Sequence, residues 1–186
     1  MPMYDINDNL ITHKDVQDRL LWYVHGEEKE KIFVQLFQSQ LGVTINPEKE
    51  HNPMAIDLIN PTTNLLIDLK SANTPFFTSE SKYNIPPQFA VTLNKKDVQR
   101  YQQNYPNMIL YFWIDWIAVK YVSPSITVRV DPMQGVWSVP LQAVLTMIEN
   151  KQAPLHVYKD RQNDQRRNAK DSYILDIRHP SFQRVI

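Results

Sequence analysis

The segment Ala55-Ile56-Asp57-Leu58-Ile59-Asn60-Pro61-Thr62-Thr63-Asn64-Leu65-Leu66-Ile67-Asp68-Leu69-Lys70 decides how the chain is read. Two apolar runs flank Asn60 to Asn64, whose Asn, Pro and Thr residues supply turn chemistry. A strand points successive side chains to opposite faces, so Leu65, Ile67 and Leu69 face one way while Asp68 and Lys70 face the other. Asp57 likewise opposes Ile56 and Leu58. With Pro61–Asn64 as a four-residue hairpin loop, Asp57 lies opposite Asp68, their Cβ atoms about 4.5–5.5 Å apart. Directly opposed like charges destabilise a sheet. A hard divalent cation bound by the carboxylate oxygens removes that cost, and Mg2+ takes one or two carboxylates while keeping waters and phosphate oxygens. Lys70 reaches the same space, where its charge could hold and activate an attacking water or stabilise charge on a phosphate. The plain alternative is a solvated, salt-bridged face that contributes little.

Outward from this hairpin, the pattern predicts helices, a run of strands, a helix and then a buried strand. Thr12 is a cap for a first helix to about His25, with Val16, Leu20 and Val24 at helical spacing. Gly26 separates it from a second helix, Glu27 to Leu41, which places Glu30, Phe33, Phe37 and Leu41 on one face with Ile32 and Leu36 beside them. Gly42 suits the stop. Strands are expected at Val43–Asn46, Met54–Ile59, Leu65–Ser71 and Phe89–Leu93, the last two separated by a polar loop. Asn94 caps a helix over Lys95–Asn104, with Val98, Tyr101 and Tyr105 on one face. Met108–Ile114 is apolar almost throughout, as at the centre of a sheet covered on both faces. Further strands are expected at Ile117–Val122, Thr127–Val130 and Val136–Val139, the last after a Met133-Gln134-Gly135 turn. A helix opened by Pro140 and a strand at Tyr173–Ile177 complete the set. The fold class is α/β or α+β with a mixed sheet, expected as a single domain over 1–186.

Composition removes several function classes. The 186 residues contain no cysteine, which excludes disulfides, thiolate zinc sites and cysteine nucleophiles. The three glycines, Gly26, Gly42 and Gly135, are isolated, unlike those of a phosphate-cradling loop. His13, His25, His51, His156 and His179 show no paired metal spacing, and no nucleophile elbow is present. Lys plus Arg and Asp plus Glu balance at 20 each, so net charge gives no indication of a nucleic-acid partner. The first residues lack a signal-peptide pattern, and the apolar stretch from Met108 to Val119 is broken by Asp115 and too short for a bilayer. A cytoplasmic protein without membrane contact is expected.

An acid on a helix, Glu30, followed by Asp57, then Asp68-Leu69-Lys70, then a helix and a buried strand resembles the PD-(D/E)XK nuclease superfamily, over roughly residues 27–115. The resemblance implies a restriction-endonuclease-like αβββαβ core, with the N-terminal helix and the C-terminal strands and helix as additions. It further implies Mg2+-dependent hydrolysis of phosphodiester bonds, with Mn2+ as a substitute ion. Asp57 and Asp68 would then bind metal, Lys70 would assist the water, and Glu30 would be the helix acid near the metal. The Pro that precedes the first Asp in the motif is Ile56 here. The implied partner is nucleic acid, DNA first, with a homodimer as one arrangement. The rival class is a catalytically inactive module of the same fold that binds nucleic acid or protein.

Two other segments bear on phosphate contacts. The loop from Ala72 to Pro87 carries Thr74, Thr78, Ser79, Ser81 and Lys82, and Ser71 precedes it. The stretch from Lys159 to Lys170 includes Arg161, Arg166, Arg167 and Lys170 and is locally basic. Tyr111, Trp113 and Trp116 read as core aromatics rather than stacking platforms, because they sit in or beside the most apolar strand.

Overall fold

The computed structural model of the chain describes residues 2–11, 19–158 and 171–186, with side chains described outside 19–27. In chain order its elements begin with β1 (Met3–Tyr4), β2 (Leu10–Ile11), α1 (Arg19–Leu41), β3 (Thr44–Ile45) and a 3-10 turn at Pro47–Glu50. Next come β4 (Leu58–Asn60), β5 (Leu65–Ala72), α2 (Ser79–Tyr83), a 3-10 turn at Pro87–Phe89, β6 (Ala90–Asn94) and α3 (Lys95–Asn104). The remainder is β7 (Ile109–Asp115), β8 (Lys120–Val122), β9 (Thr127–Arg129), β10 (Gln134–Pro140), α4 (Leu141–Glu149), β11 (Leu155–His156), β12 (Ser172–Asp176) and β13 (Gln183–Arg184).

The architecture is mixed α/β. A six-stranded sheet runs β13-β10-β7-β5-β4-β3. β3, β4 and β5 form an antiparallel meander, and the chain then crosses over to lay β7 parallel to β5. Parallel neighbours need a long connection, and here it contains α2, β6 and α3. β6 leaves the main sheet and pairs with β12 in a separate sheet ordered β11-β12-β6. A third sheet, β2-β1-β8-β9, joins the start of the chain to its middle.

The two faces of the large sheet are covered by different helices. Phe33 of α1 is fully buried in a cluster with Val43, Leu58, Ile67 and Val136, where its ring and that of Phe37 meet Trp113 edge-on. On the opposite face, Leu110, Phe112 and Ile114 pack with Val98 and Tyr101 of α3 and with Leu141, Val144 and Met147 of α4. Alternate residues of β7 therefore serve opposite faces, and the strand lies between β5 and β10 as its apolar sequence requires. Tyr111 and Trp113 pack against the α1 aromatics, and Trp116 is buried, so all three are core residues.

Several expectations need correction. Gly26 does not divide two helices, since α1 runs through it from Arg19 to Leu41. A helical glycine keeps its place in the hydrogen-bond ladder at a cost of about 1 kcal/mol, which a helix of this length absorbs. Thr12 and Val16 lie outside the described residues. Ile32 and Leu36 point to solvent rather than beside the Phe33 face. The strand expected over Met54–Ile59 begins only at Leu58. Before it, Asn52 Oδ1 accepts from the Met54 N–H and the Asn52 carbonyl accepts from Ala55, which winds this stretch into a turn. Gln134 and Gly135 do not form a turn but extend β10, opposite Asp115 and Ile114. At Gly135 (φ +153°) a Cβ would fall 2.8 Å from the Ile186 carbonyl oxygen, so glycine is needed for close approach. The loop after β5 contains the short helix α2. Gly42 ends α1 as expected, in a left-handed conformation (φ +62°), with its N–H donating to Gln38.

Candidate functional site

The hairpin between β4 and β5 places the two acids. Asn60 pairs with Leu65 and Leu58 with Ile67, leaving Pro61–Asn64 as the four-residue loop. Continuing that register by one residue sets Asp57 across from Asp68. β5 outruns β4 at this point, so Asp57 meets an open strand edge, and its Oδ2 accepts the Leu69 N–H at 3.0 Å. The side chain takes the place of a main-chain acceptor that a longer β4 would have offered.

Asp68 is buried, at 2% exposure. Its Oδ1 accepts from the Tyr101 hydroxyl at 2.7 Å, while Oδ2 meets the Lys70 ammonium at 2.8 Å as an ion pair without a hydrogen bond. Lys70 follows two residues later on the same strand face and donates to Asp97 Oδ2 at 3.1 Å and to the Tyr101 hydroxyl at 2.8 Å. Its ammonium thus makes two hydrogen bonds and one further ion pair, with Asp68. Asp97 and Tyr101 come from α3, one turn apart, so a single helix face closes over both Asp68 and Lys70. Burial pushes the Asp68 carboxyl up despite the lysine beside it. Burial works against the Lys70 charge, but Asp68, Tyr101 and Asp97 hold its pKa well above the ordinary value. Burial, reinforced by Asp68, pushes the Tyr101 phenol up. The Asp97 carboxyl is lowered; burial opposes this, and Lys70 overcomes it.

Asp57 also belongs to a second group. Lys49, on the 3-10 turn, donates to Glu30 Oε1 at 2.6 Å and to Asp57 Oδ1 at 2.7 Å. Glu30 hangs from α1 beside the buried Phe33. Burial first, and the Asp57 charge second, raise its carboxyl to about 7. Asp57 acts on the charge of both Glu30 and Asp68, and so joins the two groups.

Four carboxyl groups, Glu30, Asp57, Asp68 and Asp97, thus face two ammonium groups, Lys49 and Lys70. Arg100 lies near enough to Asp97 to offset part of the remaining negative charge. Among the described residues, no group of three or more His, Asp or Glu side chains converges as a metal cage. The donor chemistry nevertheless suits Mg2+, because every ligand atom on offer is a hard carboxylate oxygen and this ion needs only one or two of them.

The expected residues Asp57, Asp68, Lys70 and Glu30 therefore come together. Lys82 does not join them. It lies on α2 with its ammonium 5.9 Å from the Phe76 ring centre, in a group that includes His156. Arg161, Arg166, Arg167 and Lys170 lie outside the described residues. His51 is exposed. The Thr74 and Ser81 hydroxyls bond within their own loop, Ser79 is buried, and Ser71 accepts from Lys29 of α1 at 3.1 Å. Sequence reading missed Lys49, Asp97 and Tyr101. The Asp97-x-x-x-Tyr101 spacing on the helix that follows β6 was a usable signal. So was Asn46-Pro47, a helix-start pair that presents Lys49 in its first turn.

Protein-family models, curated proteins and solved structures yield no match to this chain. Its own residues carry the functional reading. No helix among the described residues is long and apolar enough to cross a membrane.

Proposed function

We propose that the chain is a Mg2+-dependent nuclease-type hydrolase of phosphodiester bonds, with DNA as its first-choice substrate and a restriction-endonuclease-like core. The observation that carries this reading is the placement of Asp57, just before β4, against Asp68-Leu69-Lys70 of β5. Supporting it, α1, the antiparallel strands β3, β4 and β5, the helix α3 and the strand β7 parallel to β5 follow one another in that order, with α2 and β6 inserted between β5 and α3.

In this reading Asp57 and Asp68 would hold the cation, with Glu30 at its flank. The cation, when bound, would supply Lewis-acid activation of a water and of a phosphoryl oxygen. The chain's own residues do the rest. Lys70 remains charged, so it serves as an electrostatic partner for a phosphate or for the hydroxide that attacks it, and not as a proton acceptor. Tyr101 and Asp97 fix the ammonium in space. A phosphate oxygen approaching Lys70 would compete first with the longer of its two hydrogen bonds, to Asp97 at 3.1 Å.

The test is cleavage of double-stranded DNA, single-stranded DNA and RNA with Mg2+ or Mn2+ against a chelator control. Metal-dependent cutting that disappears in Asp68→Asn supports the reading. A second reading is a non-catalytic module of the same fold. It is favoured by the way Lys49 and Lys70 each already bridge two of the acids. No cutting of any substrate with either metal would leave that module in its place.

A further inference from the structure

Lys49 is the feature the nuclease reading leaves unused. Its ammonium bridges Glu30 and Asp57 at 2.6 and 2.7 Å, and so engages carboxylates that the cation proposed at Asp57 and Asp68 would also draw on. The backbone beneath it is tied down. The Asn46 N–H donates to the Asp57 carbonyl, its side-chain amide donates to the Ile56 carbonyl, and its Oδ1 accepts from Glu48. The turn bearing Lys49 is thus fastened to the residues around Asp57, and only the four-carbon side chain is left to move. The same acids cannot fully serve a lysine and a divalent ion, since the ammonium would stand beside a doubly charged neighbour.

We propose that Lys49 is a tethered counter-ion that competes with the divalent cation for Asp57 and Glu30, so that metal entry and withdrawal of the Lys49 side chain are one event. The inference rests on the reading of Asp57 as a metal ligand. Lys49 stabilises the metal-free site and sets a threshold for occupancy, because metal must displace an intramolecular rival. The site then loads only when free metal is plentiful or when a bound phosphate adds ligands and charge that draw the metal in.

The test measures Mn2+ affinity by titration calorimetry and electron paramagnetic resonance for the wild type, Lys49→Met, Lys49→Gln and the double variant Lys49→Met/Asp57→Asn. Circular dichroism confirms folding, and Lys49→Gln is the fallback if Lys49→Met fails to fold. Either single variant should bind Mn2+ about tenfold or more tightly than wild type, while melting at a lower temperature without metal. The double variant should lose that gain. Affinity unchanged or weakened in the single variants overturns the proposal, as does a gain that survives Asp57→Asn, because the ion then lies elsewhere. Cleavage is scored separately. Metal-dependent cutting by wild type without an affinity gain in Lys49→Met leaves the nuclease reading and removes this one. An affinity gain with no cutting by metal-saturated protein does the reverse.

Discussion

The Asp57 carboxylate accepts the backbone N–H of Leu69 at 3.0 Å, so one acid both completes the edge of β5 and faces the Asp68–Lys70 pair. Its structural and chemical roles separate by substitution. Asp57→Ala leaves the Leu69 amide without its acceptor and should cost about 1–3 kcal/mol. Asp57→Asn keeps an oxygen for that amide while removing the charge, and should lose less. Both should lose the rise in melting temperature that Mg2+ or Mn2+ gives the wild type by mass action. Thermal melts with metal and with chelator check this. Equal metal shifts in all three proteins would show that Asp57 binds no metal.

Lys70 offers a harder test of the chemistry. Lys70→Ala should keep metal binding and lower cleavage by two orders of magnitude or more, about 2.7 kcal/mol of transition-state stabilisation. It also strands the buried Asp68 without its counter-charge, which typically costs about 3–5 kcal/mol. Asp68→Asn/Lys70→Met should therefore be more stable than Lys70→Met alone. Additive losses in that cycle would mean that the pair is not coupled.

Tyr101→Phe removes a hydroxyl that donates to Asp68 and accepts from Lys70. Its loss should destabilise the fold by about 1–3 kcal/mol. Cleavage at saturating metal should fall with little change in KM, because the substrate is not what the phenol touches. A rise in KM with kcat unchanged would place Tyr101 on the substrate instead.

Glu30 should make the metal-free protein sensitive to mild pH. Its carboxyl titrates near 4.5 when unperturbed and at about 7 in the fold, because burial and Asp57 disfavour the charge. The folded state holds the proton longer, so this contribution to stability is fully present below pH 4.5 and is lost as pH rises towards 7. Melting temperatures measured with chelator between pH 4.5 and 7.5 should fall with a slope that Glu30→Gln flattens. In activity, Glu30→Gln should lose more at limiting than at saturating Mg2+.

The basic segment makes its own prediction. Replacing two of Arg161, Arg166, Arg167 and Lys170 should weaken nucleic-acid binding for all sequences alike. It should also make the salt dependence shallower by about one unit per lost phosphate contact. An unchanged slope would remove the segment from the interface.

What sequence could reveal follows from how local each determinant is. The Pro61–Asn64 loop, the register it imposes and the phase of Asp68 with Lys70 are decided within one hairpin, where turn chemistry and alternation act together. The helix after Asn94 starts where expected, but the Asn94 side chain accepts from Ser172 and makes no capping bond, while the buried β7 announces itself by its apolar run. Gly26 and Gly135 misled because a glycine signals permissiveness, and whether the chain uses it for a break depends on packing it does not encode. Asn52 misled by spoiling a plausible strand through one side-chain bond. Lys49, Asp97 and Tyr101 carry only weak local signals of site membership, because the crossover to β7 and the turn beside α1 are what bring them to the acids.

That difference in locality has a kinetic side. The Asp57–Leu69 bond closes over 12 positions, whereas the contacts of Asp68 and Lys70 with α3 span 33 and 27. Short loops close sooner and lose less chain entropy. The expected order is that the hairpin forms with Lys49, only 8 positions from Asp57, already within reach, and that α3 closes over Asp68 and Lys70 afterwards. Tyr101→Phe, which removes only those later contacts, should speed unfolding in stopped-flow traces while leaving refolding almost untouched. Slowed refolding would place the docking of α3 in the early step instead.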